Sequence, residues 1–338
     1  MNRTILVTGG LGFIGSAFIR YMLNIDQYVK IVNLDKITYA ANPDNLKGVD
    51  FSRYKFAQGD IGDETIVSNL IHFNNCTHVV NFAAETHVDR SIMGECSFER
   101  TNVSGILNLL KVCRDKRNFI KRLLLVSTDE VYGSIVEGSF KETDILRPRN
   151  PYAASKAARE LFALSFYETY GLDVVITRGT NTYGPFQYPE KVIPLFVTNA
   201  LEGKNLPLYG TGLNIRDWLY VDDHCRAIQL VLSQGDAGQV YNIAGHHEIT
   251  NLCLTNQLLK LLGLDESRVD HIEDRKGHDL RYSIDDSKLR ELGYQPRTSW
   301  NDGIKNTVNW YNNNQEWWKK VKSDPAYLEY YKRQYRKV

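Results

Sequence analysis

Thr4-Ile5-Leu6-Val7-Thr8-Gly9-Gly10-Leu11-Gly12-Phe13-Ile14-Gly15 sets a short β-type run directly ahead of glycines at positions 9, 12 and 15. That spacing permits a tight turn, close approach of the backbone to a pyrophosphate and close packing of a helix on a strand, with the helix N-terminus facing the anion. Gly9, Gly12, Phe13, Ile14 and Gly15 are therefore the first candidates for a cofactor loop. Alone the pattern is weak. It gains weight because Lys30-Ile31-Val32-Asn33-Leu34 reads as a second strand ending in Asp35, 20 residues past Gly15, where an acid bonds a ribose 2′-hydroxyl. A carboxylate there repels a 2′-phosphate, so NAD is expected rather than NADP.

Moving outward, Tyr54 to Ile61 is a strand running into an acid. Asp60, with Ile61 beside it, is placed either to meet an adenine edge or to cap a helix over 63–73. Thr77 to Ala84 is a fourth strand, whose small end residues Ala83 and Ala84 let a dinucleotide lie against the backbone. Val103, Ile106, Leu107, Leu110 and Val112 fall on one face of a helix over 101–117. That helix leads into Leu124-Leu125-Val126-Ser127-Thr128-Asp129-Glu130-Val131-Tyr132-Gly133, an apolar run that ends in a hydroxyl and two adjacent carboxyls. Alternating β and α elements predict an α/β protein built on a Rossmann-type doubly wound parallel sheet, whose ligands bind at the carboxyl ends of the strands. In the loop before the helix, His87 and Asp89 lack further ligand-type neighbours, so a packing or substrate-rim role is expected and no metal.

Asn150-Pro151-Tyr152-Ala153-Ala154-Ser155-Lys156-Ala157-Ala158 opens with Asn at an N-cap and Pro at the first helical position, which puts Tyr152 and Lys156 at i and i+4 on one face. Ionising a tyrosine near pH 7 takes a shift of about 3 pKa units, or roughly 4 kcal/mol. A fixed ammonium and a nearby nicotinamide cation are the charges that favour the phenolate. Tyr152 would then take a hydroxyl proton as hydride leaves the same carbon.

With these pieces the chain resembles the extended short-chain dehydrogenase/reductases, and within them the dTDP-glucose 4,6-dehydratases, from about residue 3 to about residue 320. The resemblance rests on Asp35 to Ala40, Ser127 to Gly133, Tyr183 to Lys191, Gly212 to Trp218 and Asp274 to Asp279, beside the glycine loop and the Tyr/Lys pair. It implies a catalytic set of Thr128, Asp129, Glu130, Tyr152 and Lys156. Tyr152 would take the sugar 4-hydroxyl proton while hydride passes from C4 to NAD, with Thr128 on the same oxygen. Glu130 would then remove the C5 proton as Asp129 protonates the departing 6-hydroxyl, and the hydride returns to C6. Adjacent residues on a strand face opposite ways, so the chain must leave extended geometry at Asp129 for both carboxyls to reach one sugar. The resemblance also implies that Lys36 and Thr38 join the cofactor set and that Asn181, Lys191, Arg216, Asn251, Arg275 and His278 line the nucleotide and its phosphates; His87 stays a candidate for the substrate rim.

Nucleotide-sugar 4-epimerases share the fold and the Tyr/Lys pair but usually carry a small hydroxyl residue or alanine where the two acids stand, and the decarboxylases keep a Glu without the preceding Asp. The alternatives are thus a UDP-glucose 4,6-dehydratase, then an epimerase or decarboxylase, then a non-catalytic nucleotide-sugar binding protein. Thymine and uracil differ by one methyl, worth about 1–3 kcal/mol in an apolar pocket. Departures from the family pattern lie beside the expected pocket: Gly179-Thr180 and Thr182 for Cys-Ser and Asn, Asn150 for Ser, and Lys276 for Pro.

Composition narrows the partners. The 338 residues carry 41 basic and 40 acidic side chains, so no global field draws nucleic acid or an anionic membrane. The five cysteines are widely spaced with no C-x-x-C pair, which fits reduced thiols in a cytoplasm. No apolar stretch approaches the roughly 20 residues that span a bilayer. The expected organisation is an NAD-binding domain over 1–177 with a return segment at about 216–245, an interleaved nucleotide-sugar lobe over 178–215 and 246–322, and a Tyr-rich basic tail over 323–338 that is solvated or packed. Leu219 to Val221 and Gln239 to Ile243 are expected to be short strands returning to the first domain. Family resemblance implies a homodimer joined through helices near 102–117 and 153–170.

Overall fold

The computed structural model describes residues 3–94, 96–274 and 277–335. Six strands, β1 (Thr4–Thr8), β2 (Lys30–Asp35), β3 (Tyr54–Gln58), β4 (His78–Asn81), β5 (Arg122–Thr128) and β6 (Val174–Gly179), are followed by β7 (Asn181–Tyr183), β8 (Leu206–Tyr209), β9 (Ile215–Tyr220), β10 (Val240–Ile243), β11 (Glu248–Thr250) and β12 (Val269–Ile272). The main sheet has seven strands in the order β10-β6-β5-β4-β1-β2-β3, paired in parallel throughout. Its central strands are apolar runs because helices cover both faces, whereas the edge strand β3 is largely exposed. Ile5, Val7 and Leu124 face a layer that includes helices Phe13–Ile25 and Val221–Gln234, whereas Leu6, Leu123 and Leu125 face Glu64–Phe73, Gly105–Asp115 and Pro151–Tyr170. Strand order reverses between β1 and β4, and the crevice beyond their carboxyl ends is where such a sheet receives a ligand.

A second group of elements stands over that end of the sheet. Strands β11, β9 and β7 form a three-stranded sheet and β12 pairs with β8, with helices Val192–Leu201, Asn251–Leu262, Trp300–Asn313 and Gln315–Lys322 packed around Tyr183, Phe196, Tyr311 and Trp318. Ser299 caps the third of these helices by accepting from Asp302 N. β10 returns to the main sheet as expected, but Leu219 and Tyr220 do not. They end β9, which lies between β7 and β11, and the return starts instead with the helix Val221–Gln234. The correction has a local cause: Asp217 and Trp218 are held by the 245–247 segment, with Asp217 accepting from Gly245 N and His247 N at 2.6 Å each.

Two further expectations shift. Asp63, not Asp60, caps the helix Glu64–Phe73, accepting from Ile66 N at 3.0 Å, while Asp60 pairs with Lys36 at 2.7 Å. The helix over 101–117 is α-helical only over Gly105–Asp115, and a π turn at Arg100–Ser104 precedes it. Such a turn marks a place where a side chain needs re-aiming. Here Asn102, fully buried, accepts from Glu85 N at 2.8 Å and donates to Glu85 O at 3.0 Å and Ser155 Oγ at 2.9 Å.

Candidate active site

The carboxyl ends of β1, β4, β5 and β6 open into one cavity of about 420 Å³, within the range of small-molecule sites. Gly9 takes a left-handed φ of 72°, and a Cβ there would stand 2.5 Å from Ala83 N, so the turn and the β4 end require glycine. Asp35, buried at the end of β2, accepts from Leu11 N at 2.9 Å and Ile37 N at 2.8 Å, and burial raises its carboxyl above its ordinary value. It therefore shapes both flanking loops while lining the cavity. Phe13, Ile14, Lys36, Thr38, Ile61 and Ala84 line the same half, as do Gly12, Gly15, Asp60 and Ala83.

At the end of β5 the chain does bend. Thr128 is still extended (φ −144°, ψ 152°), and Asp129–Tyr132 turns at once into a 3₁₀ turn that Thr128 caps, its Oγ1 accepting from Glu130 N at 3.3 Å. Both carboxyls line the cavity as a result. Asp129 is 3 % exposed. Its Oδ1 accepts from Thr128 Oγ1 at 3.1 Å, and its Oδ2 is buried with no partner among the described residues. Burial, and then the charge of Glu130, push the Asp129 carboxyl up to about 8, so at neutral pH it carries a proton.

Asn150 caps the helix Pro151–Tyr170, accepting from Ala153 N at 2.8 Å, and thus sets Tyr152 and Lys156 over the end of β5. Lys156 Nζ donates to Val126 O at 2.8 Å, and Arg159, one turn on, donates to the same carbonyl. Burial and then Arg159 hold the Lys156 ammonium well below its ordinary value. The Tyr152 phenol is pushed upward, first by burial and then by Glu130, with Arg159 the principal opposing cation. The expectation that the Lys156 ammonium favours the phenolate therefore needs amending. Burial and Glu130 together outweigh Arg159 and favour the neutral phenol, so its ionisation calls for a further positive charge.

The far half of the cavity is built by the second group of elements. Helices Val192–Leu201 and Asn251–Leu262 point their N-termini at it, with Lys191 and Asn251 at those ends, an arrangement suited to anions. Arg216 is buried, with Nη2 donating to Asp279 O at 3.0 Å and its guanidinium 4.4 Å from the Tyr282 ring centroid. His278 Nδ1 meets Asp274 Oδ1 at 2.6 Å. Asn181 lines the cavity and keeps Oδ1 buried without a partner among the described residues. His87 lines the cavity in a left-handed conformation (φ 87°). Arg275 lies outside the described residues.

Several lining groups escaped sequence reasoning. Ser127 Oγ and His224 Nε2 are buried on the cavity wall without partners among the described residues. His224 Nδ1 bonds Thr182 Oγ1 at 2.8 Å, and its ring lies where a Cβ on Gly179 would approach to 2.9 Å. The unusual Gly179 and Thr182 thus belong together, because one makes room for the imidazole and the other holds it. Glu190, fully enclosed, accepts from Arg90 Nε at 2.9 Å and Tyr39 OH at 3.1 Å. No local pattern announces these bonds.

Known proteins share this fold. The family model described as GDP-mannose 4,6 dehydratase matches residues 6–307. A dTDP-glucose 4,6-dehydratase of Streptomyces niveus is 50 % identical over 325 residues, covering 94 % of this chain and 96 % of that one. Among solved structures, the dTDP-glucose 4,6-dehydratase DesIV of Streptomyces venezuelae, with NAD and dTDP bound, superposes with a TM-score of 0.91 at 50 % identity, covering 94 % of this chain and 99 % of DesIV. A UDP-glucose 4-epimerase of Thermus thermophilus in complex with NAD shares the fold at a TM-score of 0.85 but only 30 % identity, over 92 % and 99 % of the two chains. The chain belongs to the extended short-chain dehydrogenase/reductases, in their nucleotide-sugar 4,6-dehydratase branch.

Proposed function

We propose that this protein is an NAD-dependent dTDP-glucose 4,6-dehydratase, a lyase that converts the sugar nucleotide to its 4-keto-6-deoxyglucose derivative and water. One observation carries the reading: the turn at Asp129 brings a protonated, buried carboxyl and Glu130 into the cavity that also holds Tyr152. An elimination needs an acid and a base together, and the epimerase reaction does not. NAD fits the near half, where the glycine turn, the Asp35 carboxylate and the unpartnered Ser127 Oγ and His224 Nε2 offer a cradle and polar contacts.

Held by the glycine turn and Asp35, NAD would supply the hydride acceptor for a hydride that is later returned. Tyr152 takes the proton of the 4-hydroxyl, with Thr128 Oγ1 steadying that oxygen and Lys156 orienting the ribose beside it. Glu130 removes the C5 proton, made acidic by the ketone at C4. Asp129 delivers its proton to the departing 6-hydroxyl. Lys191, Arg216, Asn251 and His278 hold the diphosphate, where the guanidinium fork suits paired charge-assisted hydrogen bonds, and Asn181 completes that set. The apolar patch left on the helix Pro151–Tyr170 by exposed Leu161, Phe162 and Tyr170 supports a homodimer joined through this helix and Gly105–Asp115. Among the described residues no helix is long and apolar enough to cross a membrane, and the five cysteines are free, in keeping with a cytoplasmic enzyme.

The test is turnover of dTDP-glucose and, in parallel, UDP-glucose, read by mass spectrometry. Loss of one water without net NAD consumption is expected, with dTDP-glucose preferred. An unchanged mass with inversion at C4 would overturn the reading in favour of an epimerase. In the Glu130→Gln variant, elimination is expected to slow by about 10²–10⁴ while NAD binding is retained. Loss of NAD affinity in that variant would mark Glu130 as structural.

Asp129 also sets a pH dependence. Its folded-state value of about 8 stands above the ordinary 3.8, so the folded protein holds a proton that the unfolded chain has released. This group's contribution to stability falls as pH rises from about 4 and levels off above about 8. Dehydration is expected to decline above about pH 8 as the acid is lost. Asp129→Asn should abolish the dehydration and flatten the melting temperature against pH over that window. A melting profile as steep as that of the wild type would assign the slope to other groups.

A further inference from the structure

The basic, tyrosine-rich tail, which lies beyond the family match ending at residue 307, is built into the site. Helix Pro325–Tyr335 buries Tyr327 and Tyr330 to 2 % and 5 % exposure. On the substrate side, Tyr327 OH donates to Pro189 O at 3.2 Å, Tyr331 OH accepts from Asn199 Nδ2 at 3.2 Å, and Gln334 Nε2 donates to Tyr209 OH at 2.5 Å. On the side of the segment after β4, the Tyr330 ring lies 4.5 Å from the Arg90 guanidinium and meets the His87 ring edge-on at 5.6 Å. Arg90 in turn stacks on Tyr39 at 3.7 Å and binds Glu190. The helix thus bridges the segment after β4 and the elements around β8 across the cavity rim. Its last described residue, Tyr335, reaches the cavity wall with Pro207, Leu208, Tyr209 and His278, its ring centroid 6.4 Å from that of Tyr209.

The glycine turn and the acid pair assign the near and central parts of the cavity to NAD and the sugar, so the end walled by Tyr209 and Tyr335 is left for the nucleoside. Taking the pocket as a nucleotide-sugar site, we propose that the C-terminal helix is the outer wall of its nucleotide half and that Tyr335 contacts the pyrimidine nucleoside diphosphate. Tilted aromatic rings on one wall offer apolar faces and hydroxyl edges together, which suits a planar base with polar rims. Because the same helix is pinned to both lobes by Tyr330, Tyr327 and Gln334, Tyr335 is held in place before the ligand arrives and little ordering accompanies binding.

The test is calorimetric titration of dTDP into the NAD-loaded wild type, Tyr335→Ala, Tyr335→Phe and a chain ending at Ser323, with NAD affinity measured separately. Loss of the ring is expected to weaken dTDP about tenfold, with KM for the sugar nucleotide rising in step and kcat changing by less than about twofold. Tyr335→Phe should recover most of the affinity, and the shortened chain should lose at least as much as Tyr335→Ala. Unchanged dTDP affinity in Tyr335→Ala would overturn the inference, as would a parallel loss of NAD and dTDP, which would make the helix a support of the whole fold. If the shortened chain does not fold, the two point variants still decide. A wild type that does not bind dTDP at all would instead remove the nucleotide-sugar reading of the pocket.

Discussion

Tyr152→Phe is expected to lower kcat by about 10³ or more, and single-turnover absorbance of the reduced nicotinamide should show that the block falls on the first chemical step. The phenol stands on the helix face that also carries Lys156 and Arg159, at i, i+4 and i+7. Around it the protein sets Glu130 and Asp129 against ionisation and Arg159 in favour of it. Removing the hydroxyl leaves the sugar 4-hydroxyl without a base in a site where burial excludes water. Phe keeps the ring's packing against Phe98, whose centroid lies 6.3 Å away, so NAD and dTDP affinities are expected to stay near those of the wild type. A variant that still accumulates reduced cofactor at the wild-type rate would move the base elsewhere, with Glu130 the next candidate.

Sequence reasoning reached the parts of this site that local rules specify. The glycine turn, the acid 20 residues past Gly15 and the Asn-Pro helix start each depend on residues a few positions apart, so pattern and physics coincide there. The bend at Asp129 was legible because two adjacent carboxyls cannot share one side of an extended strand. Other contacts were hidden for a physical reason: they join positions far apart along the chain. Asn102 opens a π turn to hold Glu85 and Ser155, Glu190 gathers Arg90 and Tyr39, and His224 fits the space left at Gly179. A lone Asn, Glu or His in sequence carries no sign of such a partner. The misplacement of Leu219 and Tyr220 has the same origin, since an apolar triplet shows that a strand is buried without showing in which sheet.

Arg178→Met is expected to destabilise the protein by about 3–5 kcal/mol, read as a lowered denaturant midpoint. Both partners of this ion pair are enclosed, with Glu160 Oε2 accepting from Arg178 Nε at 2.9 Å and Nη2 at 2.7 Å. Glu160 Oε1 has no hydrogen-bond partner among the described residues, so removal of the guanidinium strands an entire carboxylate in the core. Arg159 gives Nη2 to the Val126 carbonyl, keeps Nε and Nη1 buried without partners among the described residues, and reaches Glu160 through its charge alone, with no hydrogen bond to it. The double variant Glu160→Leu, Arg178→Met should be more stable than Arg178→Met alone, because the cost lies in the unpaired charge and not in the absence of the pair. Activity gives a separate reading. Arg178 Nη1 donates to Tyr132 OH at 2.6 Å, which donates to Asn242 Oδ1 at 2.9 Å, and Tyr132 closes the turn that begins at Asp129. If this chain of bonds aims the acid, the double variant will regain stability without regaining kcat. Recovery of both together would show that the pair serves the core only and that the turn holds its own shape.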